Sequence, residues 1–214
     1  MNQRYFFHMG KKERKKVREW LEKNEEAYSD NQQDFLRTVR WALKAIKYEY
    51  FIATIEPVFD DDYNLVYKPG EEIVRKIKVA RWPAVAKTYF DDGEWHSELA
   101  TLYELMLWYA YRVAEGYWAI EYVCDDSSAL GNFEDSPTSS HEIESTNSRV
   151  IGGFADGVGN TTKVVMSPAF KSIALVGGSY KSCGKNHPVA MYRFEENYNF
   201  SARHFVGVVV IKKS

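Results

Sequence analysis

Cysteine is scarce in this sequence. The 214 residues hold two, Cys124 and Cys183, whereas a small secreted scaffold stapled by disulfides carries more. A single bridge remains open, but two free thiols are the favoured expectation. Long apolar runs are also missing. Nothing approaches the roughly 18 apolar residues that a membrane-crossing helix needs, so no membrane span is expected. The opening stretch, MNQRYFFHMGKKERKK, lacks the apolar centre of a signal peptide. Synthesis in a cytoplasm is therefore expected, and a surface role needs another export route, such as assembly into a virus particle released by lysis. There is no overall basic excess either. The formal net charge is −2, which gives no electrostatic reason to expect nucleic acid as a partner.

What is abundant is apolar and aromatic. Hydrophobic residues make up 45% of the chain, with 15 Tyr, 12 Phe and 6 Trp. That is enough for one large core, or for one core plus a small appendage. Tyr pairs an apolar ring with a hydroxyl that wants a partner, so a Tyr-rich chain has material for contact surfaces as well as for a core. Charge is unevenly spread. Residues 1–48 carry twelve Lys/Arg against seven Asp/Glu, and residues 125–148 carry six Asp/Glu and no Lys/Arg. Solvated faces explain both most simply, and docking of the acidic stretch with the basic arm is the sharper alternative.

Apolar spacing predicts a helix over 11–28 through Val17, Trp20, Leu21 and Tyr28. A second is predicted over 32–47 through Phe35, Val39, Leu43 and Ile46, opened by a capping box of Ser29 and Gln32. These make an α-hairpin whose apolar stripe is too thin to stand alone. From Tyr48 the pattern turns to strands: 50–59, an Asp60-Asp61-Asp62 turn, 65–67, and 72–80. Thr101 and Glu104 then open a long helix, apolar on nearly all sides and closed by Gly116, which is expected to be the main buried helix. Tyr117–Val123 reads as a strand. Residues 125–148 read as a functional or partly disordered loop. From Arg149 onward short strands alternate with glycines.

Three segments carry a family resemblance in order. They are Ala100-Thr-Leu-Tyr-Glu-Leu105, Gly153-Phe-Ala-Asp-Gly-Val-Gly-Asn160, and Leu175-Val-Gly-Gly-Ser-Tyr180, followed by Val206-Gly-Val-Val-Val-Ile211. Together they resemble the formylglycine-generating-enzyme-like branch of the C-type lectin fold. That family has P-T-x-x-E-W, G-L-x-D-x-x-G-N-V-W-E-W and R-G-G-S-[WY] segments and a terminal G-F-R strand. The resemblance covers roughly residues 80–214. It implies an α+β fold, with a C-type-lectin-like domain of short antiparallel strands and one main buried helix over 49–214, best supported over 100–211. The helices of 1–48 precede it as an attachment or oligomerisation segment. Independently, Gly157, Gly159, Gly177 and Gly178 mark positions where crowding or positive φ excludes a Cβ. Asp156 and Asn160 suit turns.

The departures bear on function. The family's enzymes hold copper through a cysteine pair after G-G-S-[WY], but here Lys181–Arg193 contains Cys183 alone. A soft copper site of that kind needs a second thiolate, so no catalytic residue, metal or cofactor is expected. Where the family has W-E-W, this chain has Thr162-Lys163-Val164, and a lysine cannot ligate the calcium that some relatives bind. The terminal G-F-R is Gly207-Val208-Val209, which lacks the arginine. Other motifs are weak. Asp60-Asp61-Asp62, Asp91-Asp92 and Asp125-Asp126 read as turns, His187 with Cys183 is a poor metal pair, and the five histidines form no spaced pair.

Tyr192–Phe205 mixes Tyr, Asn, Ser and Arg with large rings, the composition of adaptable binding surfaces. The resemblance extends here to the variable proteins of phages and bacteria made by diversity-generating retroelements. It implies a ligand-facing surface built from Tyr180, Asn186, Tyr192, Arg193, Glu195, Asn197, Tyr198, Asn199, Arg203 and His204. Strand alternation would bury one of Tyr192 and Phe194. The expected function is a non-enzymatic binding or decoration protein of a phage particle. It would recognise a host-surface protein or glycan and join virion or sister subunits, as a homo-oligomer, through its N-terminal helices. The alternatives are a purely structural assembly protein and an oxygen-dependent modifying enzyme.

Overall fold

The computed structural model describes residues 7–24, 29–55, 58–59, 65–67, 75–77, 90–91, 96–130, 150–151, 154–155, 157–159, 162–167, 173–179, 189–190, 192–195 and 206–214, several of the short strands by backbone alone. The architecture is mixed α+β. Helix α1 spans Lys11–Lys23 and α2 spans Asp30–Ala45. Each forms where the sequence places an apolar stripe at helical spacing. In α1, Arg14, Val17 and Leu21 face inward, and the Gly10 N–H donates to Glu13 Oε2 at 3.0 Å to open the helix. In α2, Phe35, Leu36, Val39, Ala42 and Leu43 are buried. Ser29 Oγ accepts the Gln32 N–H at 3.2 Å, one arm of the expected box. The other arm is diverted, because the Gln32 side chain donates to Asp125 Oδ2 at 2.8 Å.

Both helices pack on α3, Leu102–Ala114. The thin stripe of the hairpin finds its partner there, and the apolar faces of α1 and α2 belong to the same core cluster as α3. Helix α3 is the main buried helix, as its all-round apolarity predicts. Leu105, Met106, Leu107, Trp108, Tyr109 and Ala110 are fully buried, and burial of each large side chain contributes roughly 1.5–3 kcal/mol. Its end is a Schellman closure. Gly116 adopts φ 76°, its N–H donates to Val113 O at 2.9 Å, and the Tyr117 N–H donates to Arg112 O at 3.2 Å.

That closure overturns the strand expected over Tyr117–Val123. Tyr117 and Trp118 are consumed in terminating α3, and the chain starts a short helix, α4, at Ile120–Cys124. Alternation of β-formers is outweighed here by the turn that Gly116 imposes and by the helical placement of Val123 and Cys124 in the core. Helix α1 likewise ends at Lys23, short of Tyr28, which lies outside the described residues.

The strands are β1 Phe7–Met9, β2 Tyr50–Ile55, β3 Val58–Phe59, β4 Leu65–Tyr67, β5 Arg75–Ile77, β6 Phe90–Asp91 and β7 His96–Leu99. They continue as β8 Val150–Ile151, β9 Phe154–Ala155, β10 Thr162–Met166, β11 Ile173–Val176, β12 Tyr192–Glu195 and β13 Val206–Lys213. The main sheet runs β1-β2-β13-β10-β11-β12, with β7 also on β13 and β6 on β7. All these pairings are antiparallel except β10 with β13, which is parallel. The expected hairpin at 58–67 is present as β3–β4, with β5 added. The N-terminal segment contributes to the main sheet as well, since β1 pairs with β2. Strand β13 is the sheet's spine. One edge pairs with β2, while the other pairs first with β10 and then with β7. In the gap between β7 and β10 sits Ala100, whose N–H donates to Val209 O at 2.9 Å and whose carbonyl accepts the Met166 N–H at 2.8 Å. No helix among the described residues is long and apolar enough to cross a membrane.

Candidate functional site

The segments that carry the sequence resemblance are far apart in the chain, and β10 gathers them. Lys163 pairs across the sheet with Val176 on one side and with Gly207 on the other. Its side chain turns back, and the ammonium donates to the carbonyl of Gly159. The Gly159 N–H donates to Gly177 O at 2.9 Å. Tyr109, from the middle of α3, closes the node by donating its hydroxyl to Gly157 O at 2.8 Å. Lys163 and Tyr109 are both fully buried. Burial pushes the Tyr109 phenol far above its ordinary value, so it serves as a fixed hydrogen-bond donor.

Gly177 is where this node resists a side chain. Its φ is 85°, and a Cβ there would stand 3.1 Å from the Tyr109 hydroxyl oxygen. Gly159 and Gly178 also have positive φ. The reading of these glycines as positions of crowding or left-handed backbone is correct. At Gly157 the described contact is its carbonyl, which accepts the Tyr109 hydroxyl. Asp156 and Asn160 lie outside the described residues.

A second polar cluster lies where α3 starts. The Glu104 carboxylate reaches back to the Thr101 N–H, the expected capping box, accepts the Thr101 hydroxyl at 2.5 Å, and also accepts the Tyr48 hydroxyl. The Tyr50 hydroxyl donates to Glu104 O at 2.8 Å. Arg14 donates to Tyr48 O at 2.5 Å, tying α1 to the same corner. Glu104 is 1% exposed, and burial raises its carboxyl above the ordinary range against the pull of its hydrogen bonds. Sequence spacing identified Glu104 as a cap. Its role as a hub for Tyr48 and Tyr50 depends on the chain at 48–50 meeting the start of α3, which spacing does not report.

The sequence-derived binding residues fall at one end of this framework. Tyr192, Arg193 and Glu195 lie on β12, at the edge of the described main sheet, in register with Val176, Leu175 and Ile173 of β11. Their side chains are outside the described residues, as are Phe194's side chain and all of Tyr180, Asn186, Asn197, Tyr198, Asn199, Arg203 and His204. The β11–β12 pairing therefore brings three of the ten onto one strand next to the Gly177–Gly178 turn. The acidic stretch is described only at its start. There Asp125 accepts Ser29 Oγ at 3.1 Å besides Gln32, and Ser127 Oγ accepts the Val189 N–H at 2.9 Å. Residues 131–148 lie outside.

Cys124 is a buried free thiol, pushed far above its ordinary value by burial and by Asp125 and Glu121. Cys183 and His187 are outside the described residues. Among the described residues no group of three or more His, Cys, Asp or Glu is placed to hold a metal ion. The role of Lys163 was missed in sequence. What marks it is a lysine inside an otherwise apolar strand, Thr-Lys-Val-Val-Met, which signals a buried polar partner.

No family model matches the chain, and no curated protein or solved structure matches it either.

Proposed function

We propose that this chain is a non-enzymatic binding protein with a C-type-lectin-like region. In this reading it is a decoration component of a phage particle that recognises a host-surface protein or glycan. The ligand-facing surface comprises β12 and the Tyr/Asn-rich stretch around it, from Tyr180 to His204. One observation carries the reading. The Gly153–Asn160, Leu175–Tyr180 and Val206–Ile211 segments, which resemble the family's, meet at Lys163. A rigid base of that kind suits a variable rim, because a scaffold fixed by backbone hydrogen bonds tolerates exchange of the side chains it presents.

The test is a screen of the purified chain against glycan and host-surface protein panels, followed by Tyr192→Ala and Tyr198→Ala. A hit whose affinity falls at least about tenfold in either variant supports the reading, as the loss of an aromatic anchor would. A screen without a hit, or a hit indifferent to both variants, sinks it. Copper titration of the reduced chain addresses the enzymatic alternative. Tight stoichiometric binding that Cys183→Ser abolishes would replace the binding reading with the enzymatic one.

A further inference from the structure

The Schellman closure of α3 leaves an arginine in an unusual setting. Arg112 and Tyr117 occupy the two positions whose side chains normally make the closure's apolar contact. Here the contact is a guanidinium against a ring. The Arg112 Cζ lies 4.2 Å from the Tyr117 ring centroid and 5.8 Å from that of Trp118. Trp118 is itself fixed edge-on against Trp108, with centroids 5.3 Å apart. Arg112 is 8% exposed, and its Nε finds no hydrogen-bond partner among the described residues. The nearby acid is Glu115, whose carboxylate is already taken by Lys16 from α1. Tyr117, by contrast, is 65% exposed and lies over the guanidinium from the solvent side.

A guanidinium withdrawn from water normally has a carboxylate against its fork. Ring faces attract it but accept none of its N–H bonds. We propose that Arg112, covered by Tyr117 and backed by Trp118, is a binding site for a single carboxylate group of a ligand. The class follows from the donors. A planar fork matches a planar two-oxygen anion. Among the described residues, the cation nearby is Lys16, already neutralised by Glu115, so a doubly charged phosphate would find no second free cation there. Burial already lowers the affinity of Arg112 for its proton, against the opposing pull of Tyr117, Tyr111 and Glu115. That is the deficit an incoming carboxylate would make good. This proposal does not rest on the proposed function.

The test uses the full chain labelled with ¹⁵N. The Arg112 Nε–H resonance is identified as the one lost in Arg112→Lys, or by through-bond assignment should that variant fail to fold. Sodium acetate is titrated against sodium chloride at equal ionic strength, with acetamide as the uncharged isostere. The expected result is a saturable downfield shift with acetate alone, with half-saturation on the order of millimolar, within what four non-hydrogen atoms can supply. Tyr117→Ala lets water reach the guanidinium and compete with the carboxylate, and is expected to weaken that binding about threefold. No shift, or equal shifts with chloride or acetamide, would overturn the site. So would an acetate affinity unchanged in Tyr117→Ala.

Discussion

The Lys163 ammonium donates to the carbonyl of Gly159, four residues back along the chain, and both groups are inside the protein. A buried cation held by a carbonyl is an unusual way to fix a turn, and it links two things at once. The Gly159 turn is already tied to Gly177 through its backbone, and the backbone of Lys163 pairs with Val176 and Gly207. One residue therefore sets the spacing between the Gly157–Gly159 turn and three strands of the sheet.

Lys163→Met keeps the unbranched apolar stem of the side chain and removes the ammonium. The Gly159 carbonyl then has no donor at that position and is cut off from water. The expected outcome is a loss of roughly 1–3 kcal/mol in unfolding free energy, the usual effect of stranding a buried polar group. Urea denaturation checks it. The midpoint should fall with the slope unchanged. A midpoint at or above that of the parent would mean that desolvation of the ammonium outweighs its hydrogen bonds.

Gly177→Ala introduces two separate penalties. The backbone at φ 85° strains any L side chain, and the new Cβ meets the Tyr109 hydroxyl at 3.1 Å. Together they are expected to destabilise by about 1–3 kcal/mol. Combining the substitution with Tyr109→Phe separates the two effects. Removing the hydroxyl relieves the contact but leaves the backbone strain. The double variant should therefore be less destabilised than the sum of the singles by at least about 0.5 kcal/mol. Strict additivity would assign the whole effect to φ.

Which parts of this were legible in the sequence follows from range. Helix α3 was legible because its information is local: Thr101 and Glu104 at cap spacing, apolar residues on every side, Gly116 at the end. The stripes of α1 and α2 were legible for the same reason. The stretch after Gly116 was misread because Tyr, Trp, Ile and Val suit strands, whereas its course is set by hydrogen bonds back to Arg112. The parallel β10–β13 pairing, and Ala100 wedged between β7 and β10, join residues far apart and leave no periodic trace. At the candidate site, the positive-φ glycines Gly159, Gly177 and Gly178 were readable from residue type and place in the sequence. The part played by Lys163 was not, because a lysine in a sequence reads as solvated until its strand is seen to be covered on both faces.

Glu104 makes stability depend on pH in a direction that can be stated. Burial raises its carboxyl in the folded protein above the ordinary 4.5. The fold therefore favours the neutral form. The contribution is complete below about 4.5 and is lost as pH rises through the raised folded value. Glu104→Gln retains an acceptor for the Thr101 N–H and carries no titrating proton. Unfolding free energies of the two proteins, measured by urea from pH 3 to 8, should show the parent losing ground to the variant as pH rises. A difference that is flat, or that grows in the parent's favour above pH 5, would place the hydrogen bonds from Thr101 and Tyr48 ahead of desolvation.

Cys124 is expected to be chemically silent while the protein is folded. The thiolate is the reactive form, and burial beside Asp125 and Glu121 holds this thiol protonated. Access requires α4 to open, and α4 is anchored on both sides. Asp125 is bonded to Ser29 and Gln32, and Val123 O accepts the Ala190 N–H at 3.0 Å. In a Cys183→Ser background, reaction with an aromatic disulfide reagent should be at least about a hundredfold slower in the native protein than in urea, as local opening of a few kcal/mol requires. Should the native rate approach the unfolded one, the contacts around α4 are not holding, and the ties from Asp125 to α2 must be weaker than their geometry indicates. A parent chain that shows no titratable thiol even when unfolded without reductant would instead mean that Cys124 and Cys183 are bridged, against the free, buried thiol described at Cys124.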